Sequence, residues 1–288
     1  MDYRRHRYFI FISIMSVLSL LVLVDLVDDD WGDFKRSLDN LSTFFNESLW
    51  PPDWKVLEPQ SYPVCEANWE IMCSPGYIGI VETLKIAFVS TGLGFLLSLP
   101  LAVLASRNLY SDKVAIPCRL ILSAMRTLPS LIWAIFFVIL IGFGPMSGVF
   151  AMTFYTIGYL GKLQYETIEG LSKDPLDAAR AMGLKRGEIV QRVVIPEAGN
   201  NLISQLLFMF EYNVRHGSVI GIVGAGGIGY YISTYLKFLQ YDKVIALLII
   251  LFFVVVIIDL LSIKARSYFV EDATFKTPAL FGNIFGRK

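Results

Sequence analysis

Charged side chains are scarce in this sequence. Only 17% of its 288 residues are charged, whereas 55% are hydrophobic and the mean hydropathy is +0.57. A soluble globular chain carries roughly 25% charged residues, so a water-soluble domain is disfavoured. The 25 basic and 25 acidic residues cancel. No overall positive field is therefore left to attract nucleic acid, which is not an expected partner.

Metal-ligating residues are also few. The three cysteines and two histidines share no ligand spacing, so no metal site and no other cofactor is expected in this chain. The pattern G-x-x-x-x-G-K-[ST] is missing, so the chain should not hydrolyse ATP alone. Cys65 and Cys73 lie in one polar segment, where a disulfide would persist if that segment is outside the cell. The sequence leaves two alternatives, a disulfide between Cys65 and Cys73 or two free thiols.

The sequence contains several long runs without charged residues. About 20 helical residues cross the roughly 30 Å hydrocarbon core of a bilayer. The runs predict six spans, at residues 8–24, 86–106, twice within 127–161 around a break at 142–145, 198–223 and 244–258. The predicted fold class is thus an all-α polytopic membrane protein. The first run has an alternative, a cleaved signal peptide, but it ends in DLVDDD rather than in small residues, which favours an anchor.

The loops differ in charge, and this difference predicts the orientation. Residues 1–7 and 107–126 are basic, as is the C-terminal tail, whereas residues 28–76 are acidic. Cytoplasmic loops carry an excess of Lys and Arg, so both termini are expected in the cytoplasm. The predicted division is an N-terminal transmembrane anchor (1–27), an acidic extracytoplasmic loop (28–76), a core transmembrane region (77–265) and a cytoplasmic tail (266–288).

The most polar interior segment, residues 171–196, predicts two short helices at the cytoplasmic surface. Asp174 and Pro175 suit a capping acid followed by proline in the first turn. The letters LDAARAM are strong helix formers, and Gly183 suits a left-handed C-cap. A second helix is predicted at about 187–194. The following proline, Pro196, either stops this helix or opens the next span.

The small side chains Ala178 and Ala179 would let the first helix lie close to another surface. A helix resting on lipid headgroups is the alternative. That reading is disfavoured because the helix is short and alanine-rich, where a lipid-bound helix carries bulky apolar residues. Docking into a groove of another protein fits better.

This segment resembles the cytoplasmic signature of ABC-importer permeases. In that signature, E-A-A is followed after three residues by Gly, and after nine more by I-x-L-P. Here Asp177, Ala178 and Ala179 are followed at the same spacing by Gly183 and by a VVIP that ends at Pro196. Asp replaces Glu, Val replaces Ile and Ile replaces Leu, all chemically close changes.

Within that superfamily, residues 82–263 are similar to the phosphonate-type permeases. The likeness lies in ETLKIAFVSTGLGFLLSLPLAVLASRN, RTLPSLIWAIFFVILIGFGP and FEYNVRHGSVIGIVGAGGIG. His216 and Gly217 depart from the small-residue run expected after the Arg of the third stretch. The departure leaves the substrate open between a phosphonate or related phosphorus oxyanion and another small solute such as methionine.

The resemblance implies a type I ABC importer permease of the bacterial inner membrane, with about six transmembrane helices. Two permease copies, as a homodimer, would work with cytoplasmic ATPase subunits and an extracytoplasmic substrate-binding protein. ATP and Mg²⁺ would bind the ATPase, not this chain. A coupling helix at residues 174–182 would dock on the ATPase, and the segment would contribute Asp174, Asp177, Ala178, Ala179, Gly183 and Pro196.

Two charges lie inside the predicted fifth span. Glu211 and Arg215 are four residues apart and share a helix face. One interpretation is structural, with Glu211 neutralising Arg215 or bonding a neighbouring helix. In the other, Arg215 and the adjacent His216 line the translocation pathway and offer positive charge to an oxyanion. A membrane-embedded enzyme built on these three residues is a weaker third reading, because no second acid, metal-ligand set or nucleophile motif accompanies them.

The stretch GIVGAGGIGYYI carries the order G-x-G-x-x-G at Gly224, Gly226 and Gly229. That order is typical of a dinucleotide loop, which also needs a soluble strand–loop–helix unit and an acid about 20 residues further on. Here the apolar run IALLIILFFVVV occupies that distance. We instead interpret the glycines, including Gly227, as a helix break near the outer face that forms part of a gate beside Arg215.

Overall fold

The computed structural model describes residues 3–27, 36, 40–60 and 69–269, and these contain helices and turns without a β-strand. They form two compact units, divided between Pro52 and Asp53. In the first unit, helix α1 (Tyr3–Val27) is continuous, and its described side chains, residues 8–26, are all exposed. A short helical stretch at 40–44 continues into a π-helical turn, Phe45–Leu49.

The second unit is a helical bundle. Its helices are α2 (Pro75–Ala105), α3 (Asp112–Thr127), α4 (Ser130–Ile141), α5 (Pro145–Glu169), α6 (Lys173–Ala181), α7 (Arg186–Ile189), α8 (Ile195–Ile220), α9 (Ile228–Lys237) and α10 (Tyr241–Phe269). A π-helical turn, Val190–Val194, joins α7 to α8.

Three of the described helices, α1, α2 and α10, are long and apolar enough to cross a membrane by themselves. Two bent pairs also qualify if each counts as one span: α3 with α4, bent by 86°, and residues 186–223 with α9, bent by 40°. The described residues therefore support three to five spans, against the predicted six.

The predicted hairpin within residues 127–161 accounts for the difference. The break is present, because α4 ends at Ile141 and α5 begins at Pro145. However, α4 has only 12 residues, about 18 Å of helix, which is too short to cross the hydrocarbon core. Helix α5 is long enough but too polar to be recognised as a span by composition. It packs against α2, α3, α4 and α8, so protein rather than lipid surrounds much of it.

Helix α2 begins at Pro75, well before the run predicted from residue 86. The Ser74 side chain accepts a hydrogen bond from the Tyr77 N–H at 3.3 Å, and Pro75 occupies the first turn. Glu82 and Lys85 consequently lie inside the helix. A charge interrupts an apolar run in the sequence, but it does not end a helix that is capped upstream.

Polar and small residues hold the bundle together. Asn213 on α8 donates to the Thr91 hydroxyl on α2 at 2.8 Å and to the Thr156 hydroxyl on α5 at 3.0 Å. A Cβ on Gly158 would lie 2.7 Å from the Arg126 backbone nitrogen on α3. Such close approach of small residues and interhelical hydrogen bonds are typical of membrane bundles, where lipid supplies no hydrophobic force between helices.

The end of the predicted acidic loop packs on the bundle. Val56 is fully buried against Ile80 and Leu247, and the Asp53 N–H donates to the Asp242 carbonyl at 3.1 Å. Cys73 is disulfide-bonded. Its predicted partner, Cys65, lies outside the described residues, so that pairing stays a prediction.

Candidate coupling and translocation sites

The predicted coupling helix is present as α6, with its start shifted by one residue. Ser172 is the N-cap residue in an extended conformation, and α6 begins at Lys173. Asp174 therefore lies in the first turn rather than at the cap. A carboxylate in that position still interacts favourably with the helix dipole. Pro175 lies next in the same first turn, where its missing N–H costs no intrahelical bond.

The end of α6 matches the expectation closely. Gly183 has a φ of +75°. Its N–H donates to the Arg180 carbonyl at 2.9 Å, and the Leu184 N–H donates to the Ala179 carbonyl at 3.2 Å. This pair of bonds is a Schellman motif, which favours glycine at the left-handed position. A side chain there would be strained.

The predicted second helix is not a separate element. Helix α7 begins at Arg186 and continues through the π-helical turn into α8, and Pro196 lies in the first turn of α8. Of the two roles considered for Pro196, it opens the span. The π-helical turn lies directly before this proline, which cannot donate an intrahelical hydrogen bond.

The two faces of α6 have different surroundings. Leu176 and Ala179 are buried in a cluster with Leu109, Ile168 and Ile189. Ala179 therefore seats α6 on its own chain and does not face outward, which differs from our expectation. The burial follows from the three-residue spacing with Leu176, which puts both on one helix face. The exposed residues of the predicted set are Asp174, Asp177, Ala178, Gly183 and, at the start of α8, Pro196.

Arginines fasten α6 and α7 to the turn after α2. Arg180 pairs with Asp177 at 2.7 Å, and its other terminal nitrogen donates to the Asn108 carbonyl. The Arg186 guanidinium lies over the Tyr110 ring, 5.2 Å from its centroid. These contacts hold α6 and α7 against the bundle.

Glu211 and Arg215 belong to a row of four alternating charges between α8 and α10, which we call the charge row. Arg266 contacts Glu211 at 2.6 Å, Glu211 lies 3.9 Å from Arg215, and Arg215 contacts Asp259 at 2.5 Å. The Glu211 side chain is only 12% exposed. The row is neutral overall, and Arg215 has carboxylate neighbours on both helices. The two members of the row on α10, Asp259 and Arg266, could not be identified from sequence, because the register between the two helices is not a local property.

Substitution of Arg215 by alanine is expected to lower thermal stability and uptake together. The change would leave Asp259 without its partner, and an unpaired acid near the centre of a membrane helix costs about 2.5–3.5 kcal/mol on insertion scales. The control is the double variant Arg215→Ala with Asp259→Ala, which leaves no unpaired acid because Glu211 keeps Arg266, and it should restore most of the melting temperature and uptake. Loss of uptake with unchanged melting temperature and assembly would instead support a pathway role.

Four rings on α5 and α8 form a stacked series, which we call the aromatic ladder. It consists of Tyr159, Tyr155, Tyr212 and His216, all half-buried. Tyr155 and Tyr212 stack at 5.6 Å, Tyr159 and Tyr212 at 6.1 Å, and Tyr212 and His216 at 3.7 Å between centroids. The Tyr155 and Tyr212 hydroxyls share a hydrogen bond of 2.8 Å.

His216 belongs to the aromatic ladder, whereas the neighbouring Arg215 does not. Consecutive residues of an α-helix point about 100° apart, so His216 stacks with the ladder while Arg215 turns towards α10. Our sequence interpretation grouped the two and missed the tyrosines. The available signal was the four-residue spacing of Tyr155 with Tyr159 and of Tyr212 with His216, but the sequence does not show that the two pairs meet.

The glycine-rich stretch is a tight turn between α8 and α9. Helix α8 ends at Ile220, and the 3-10 turn Gly221–Val223 follows. The next glycines adopt positive φ angles: +88° at Gly224, +83° at Gly226 and +73° at Gly227. The residues before them are helical rather than extended. The predicted helix break is therefore correct, and the strand that a dinucleotide loop requires is missing.

The glycine turn is closely packed. A Cβ on Gly226 would lie 2.9 Å from the Pro145 Cα and 3.1 Å from a Glu82 carboxylate oxygen, and one on Gly229 would overlap the Ser218 carbonyl. The Gly144 N–H also donates to the Gly224 carbonyl at 2.9 Å. Of the two roles considered for these glycines, close approach fits better than flexibility.

A cavity of about 520 Å³ lies beside the start of α5. Its lining includes the charged side chains Glu82 and Lys85, together with Tyr77, Pro145 and Val149. Sequence reasoning overlooked both charges because it placed them before the span. Among the described residues, no group of three or more His, Cys, Asp or Glu is arranged to hold a metal ion.

The all-helical bundle, its broken helices and the short surface helix define the class of polytopic membrane transport subunits. Residues 98–262 match the family described as "Binding-protein-dependent transport system inner membrane component". The chain belongs to this family. It is therefore the permease subunit of an ABC importer and not an enzyme, which removes the membrane-enzyme reading of Glu211, Arg215 and His216.

Curated relatives indicate which members of this family the chain resembles. The chain is 37% identical over 195 residues to the "Putative phosphite transport system permease protein HtxC" of Stutzerimonas stutzeri, covering 67% of this chain and 69% of HtxC. It is 33% identical over 191 residues to the "Phosphite transport system permease protein PtxC" of the same organism, covering 66% and 70%. It is also 33% identical to the "Phosphate-import permease protein PhnE" of Mycolicibacterium smegmatis, covering 70% of this chain but 38% of PhnE.

Solved structures share the fold. An inward-facing MetNI methionine ABC transporter chain aligns with a TM-score of 0.62 at 23% identity, covering 70% of this chain and 99% of that one. A bacterial ABC transporter involved in the import of the acidic polysaccharide alginate aligns with a TM-score of 0.58 at 17% identity, covering 86% and 99%. The architecture is that of type I importer permeases, as expected.

Proposed function

We propose that this permease imports phosphite, a phosphonate or a related phosphorus oxyanion. The observation that carries the proposal is the likeness to relatives named for phosphite transport, at 37% and 33% identity over about two thirds of the chain. The methionine transporter is similar in fold only, at 23% identity. A sequence likeness over about two thirds of the chain weighs more for the cargo than a shared architecture alone.

Helix α6 transmits the conformational change of the ATPase to the permease. Its exposed residues Asp174, Asp177 and Ala178 dock in a groove of a cytoplasmic ATPase subunit, which binds ATP and Mg²⁺. The arginine contacts of α6 and α7 fasten this helix to the bundle, and the helical run from Arg186 to Ile220 carries its displacement inward. The continuous helix supports such rigid coupling, because it has no intervening loop in which movement would dissipate.

The glycine turn between α8 and α9 forms the outer gate. It lies at the far end of the same helical run, and its close contacts with Pro145 tie it to α5. Two packed arrangements of such a turn would give alternating access, since closely packed interfaces switch between discrete states rather than deform smoothly. The working unit is a permease homodimer with an extracytoplasmic binding protein, and both termini lie in the cytoplasm.

The cargo is tested by uptake into proteoliposomes that contain the permease, its ATPase and its binding protein. We expect ATP-dependent accumulation of phosphite or methylphosphonate at least tenfold above that of methionine. Calorimetry of the binding protein against phosphite, phosphate, methylphosphonate and methionine should give the same order. An ATPase subunit whose P-loop lysine is replaced is the control. Binding and uptake of methionine, with no phosphorus ligand bound, would overturn the proposal.

A further inference from the structure

We propose that the aromatic ladder of Tyr159, Tyr155, Tyr212 and His216 contacts the cargo inside the membrane. Its polar atoms would bind a monoanionic phosphorus oxyacid, a molecule that carries both acceptor oxygens and a P–O–H group. The ligand class rests on the proposed function, whereas the location of the contact does not.

The position of the ladder within the bundle indicates what it faces. Its three tyrosines lie well inside α5 and α8, His216 lies about one turn before the end of α8, and all four rings are half-buried. Tyrosines that contact lipid concentrate at the two membrane interfaces, where their hydroxyls reach water. A hydroxyl that faces hydrocarbon without a partner costs free energy, and Tyr159 has no hydrogen-bond partner among the described residues. The ladder therefore faces an aqueous path rather than lipid.

The ladder has hydrogen-bonding groups that its own contacts do not use. The Tyr155 and Tyr212 hydroxyls bond to each other, so one of their two hydrogens stays available, and the Tyr159 hydroxyl offers another. The His216 Nδ1 lies 3.2 Å from the Tyr212 carbonyl oxygen. A carbonyl oxygen only accepts, so Nδ1 of the neutral ring carries the hydrogen and Nε2 is an acceptor. Two donors and one acceptor complement two phosphoryl oxygens and one P–O–H.

Arg215 is less suited than the ladder to contact the cargo. The Arg215 guanidinium already contacts Asp259 and turns to a different face of α8. A fixed unpaired cation would also hold an oxyanion tightly, whereas translocation requires binding that is weak enough for release. Neutral donors on stacked rings meet that requirement. Of these two polar groups, the ladder rather than the charge row therefore has groups available to a cargo.

The location is tested by cysteine labelling of the reconstituted complex. In a Cys118→Ser background, Tyr159→Cys should react with a water-soluble methanethiosulfonate at least tenfold faster than Phe88→Cys. Phe88, the matched control, is 73% exposed on the apolar face of α2. Phosphite should slow the labelling of Tyr159→Cys several-fold. Labelling no faster than at Phe88→Cys, or labelling that phosphite does not slow, would overturn the proposal.

The chemistry is tested by removing single hydroxyls. Tyr159→Phe and Tyr155→Phe keep the stacked rings and should each raise the KM for phosphite uptake about fivefold, which corresponds to one hydrogen bond. Tyr8→Phe in α1, an exposed tyrosine outside the ladder, is the matched control and should change neither this KM nor the ATPase activity without cargo. Normal KM values in both variants would refute the ladder's role while leaving the cargo class intact. Failure of the wild-type complex to import any phosphorus oxyanion would refute the cargo class, and ladder labelling would then be repeated with the solute that is imported.

Discussion

Replacing Gly226 with valine is expected to reduce uptake at least tenfold. Gly226 has a φ of +83°, and a Cβ there would lie 2.9 Å from the Pro145 Cα. A left-handed conformation costs a residue with a Cβ about 1–2 kcal/mol, and overpacking costs about 1–3 kcal/mol. The contact is with backbone, which cannot rotate away as a side chain can. The turn would therefore be displaced from α5, and the proposed outer gate would not close properly.

The measurement is ATP-dependent uptake, with the melting temperature of the purified complex as a second readout. Gly92→Val is the matched control, because a Cβ on Gly92 meets no atom within 4 Å and its φ is ordinary. Gly226→Ala should give an intermediate defect. Uptake by Gly226→Val at the level of Gly92→Val would show that the glycine turn has no part in gating.

Replacing Ala178 with tryptophan is expected to uncouple transport from ATP hydrolysis. Ala178 is exposed on α6, so the large side chain should not disturb the fold of the permease itself. It would instead obstruct the proposed groove of the ATPase, where a small residue is needed for close approach. We expect at least a tenfold loss of ATPase co-purification and of the hydrolysis stimulated by loaded binding protein, with an unchanged melting temperature of the isolated permease.

Two neighbouring substitutions separate docking from folding. Ala178→Ser adds little volume and should preserve both co-purification and stimulated hydrolysis. Ala179→Leu places extra volume in the buried cluster around Leu176 and should lower the melting temperature of the isolated permease. Normal co-purification of Ala178→Trp would argue against α6 as the docking element, whatever the result at Ala179.

Features that depend on nearby residues were predictable from the sequence. The charge-free runs required a membrane environment, because their apolar side chains have no other way to leave water. The C-cap at Gly183 and the helix break at Gly224, Gly226 and Gly227 followed from the backbone freedom of glycine, and the structure shows positive φ angles at these four glycines. The D-A-A to V-V-I-P spacing led to the permease family, which the comparisons confirm.

Features that depend on how helices pack were decided by the tertiary structure alone. Pairing of Arg215 with Asp259 requires the register between α8 and α10, and the stacking of Tyr155 on Tyr212 requires that between α5 and α8. The burial of Ala179 depends on which face of α6 meets the bundle. No local pattern contains this information, since register and facing arise from side chains distant in sequence. The sequence alone thus determined a helical permease and its short surface helix, whereas interhelical packing decided which polar groups pair with one another.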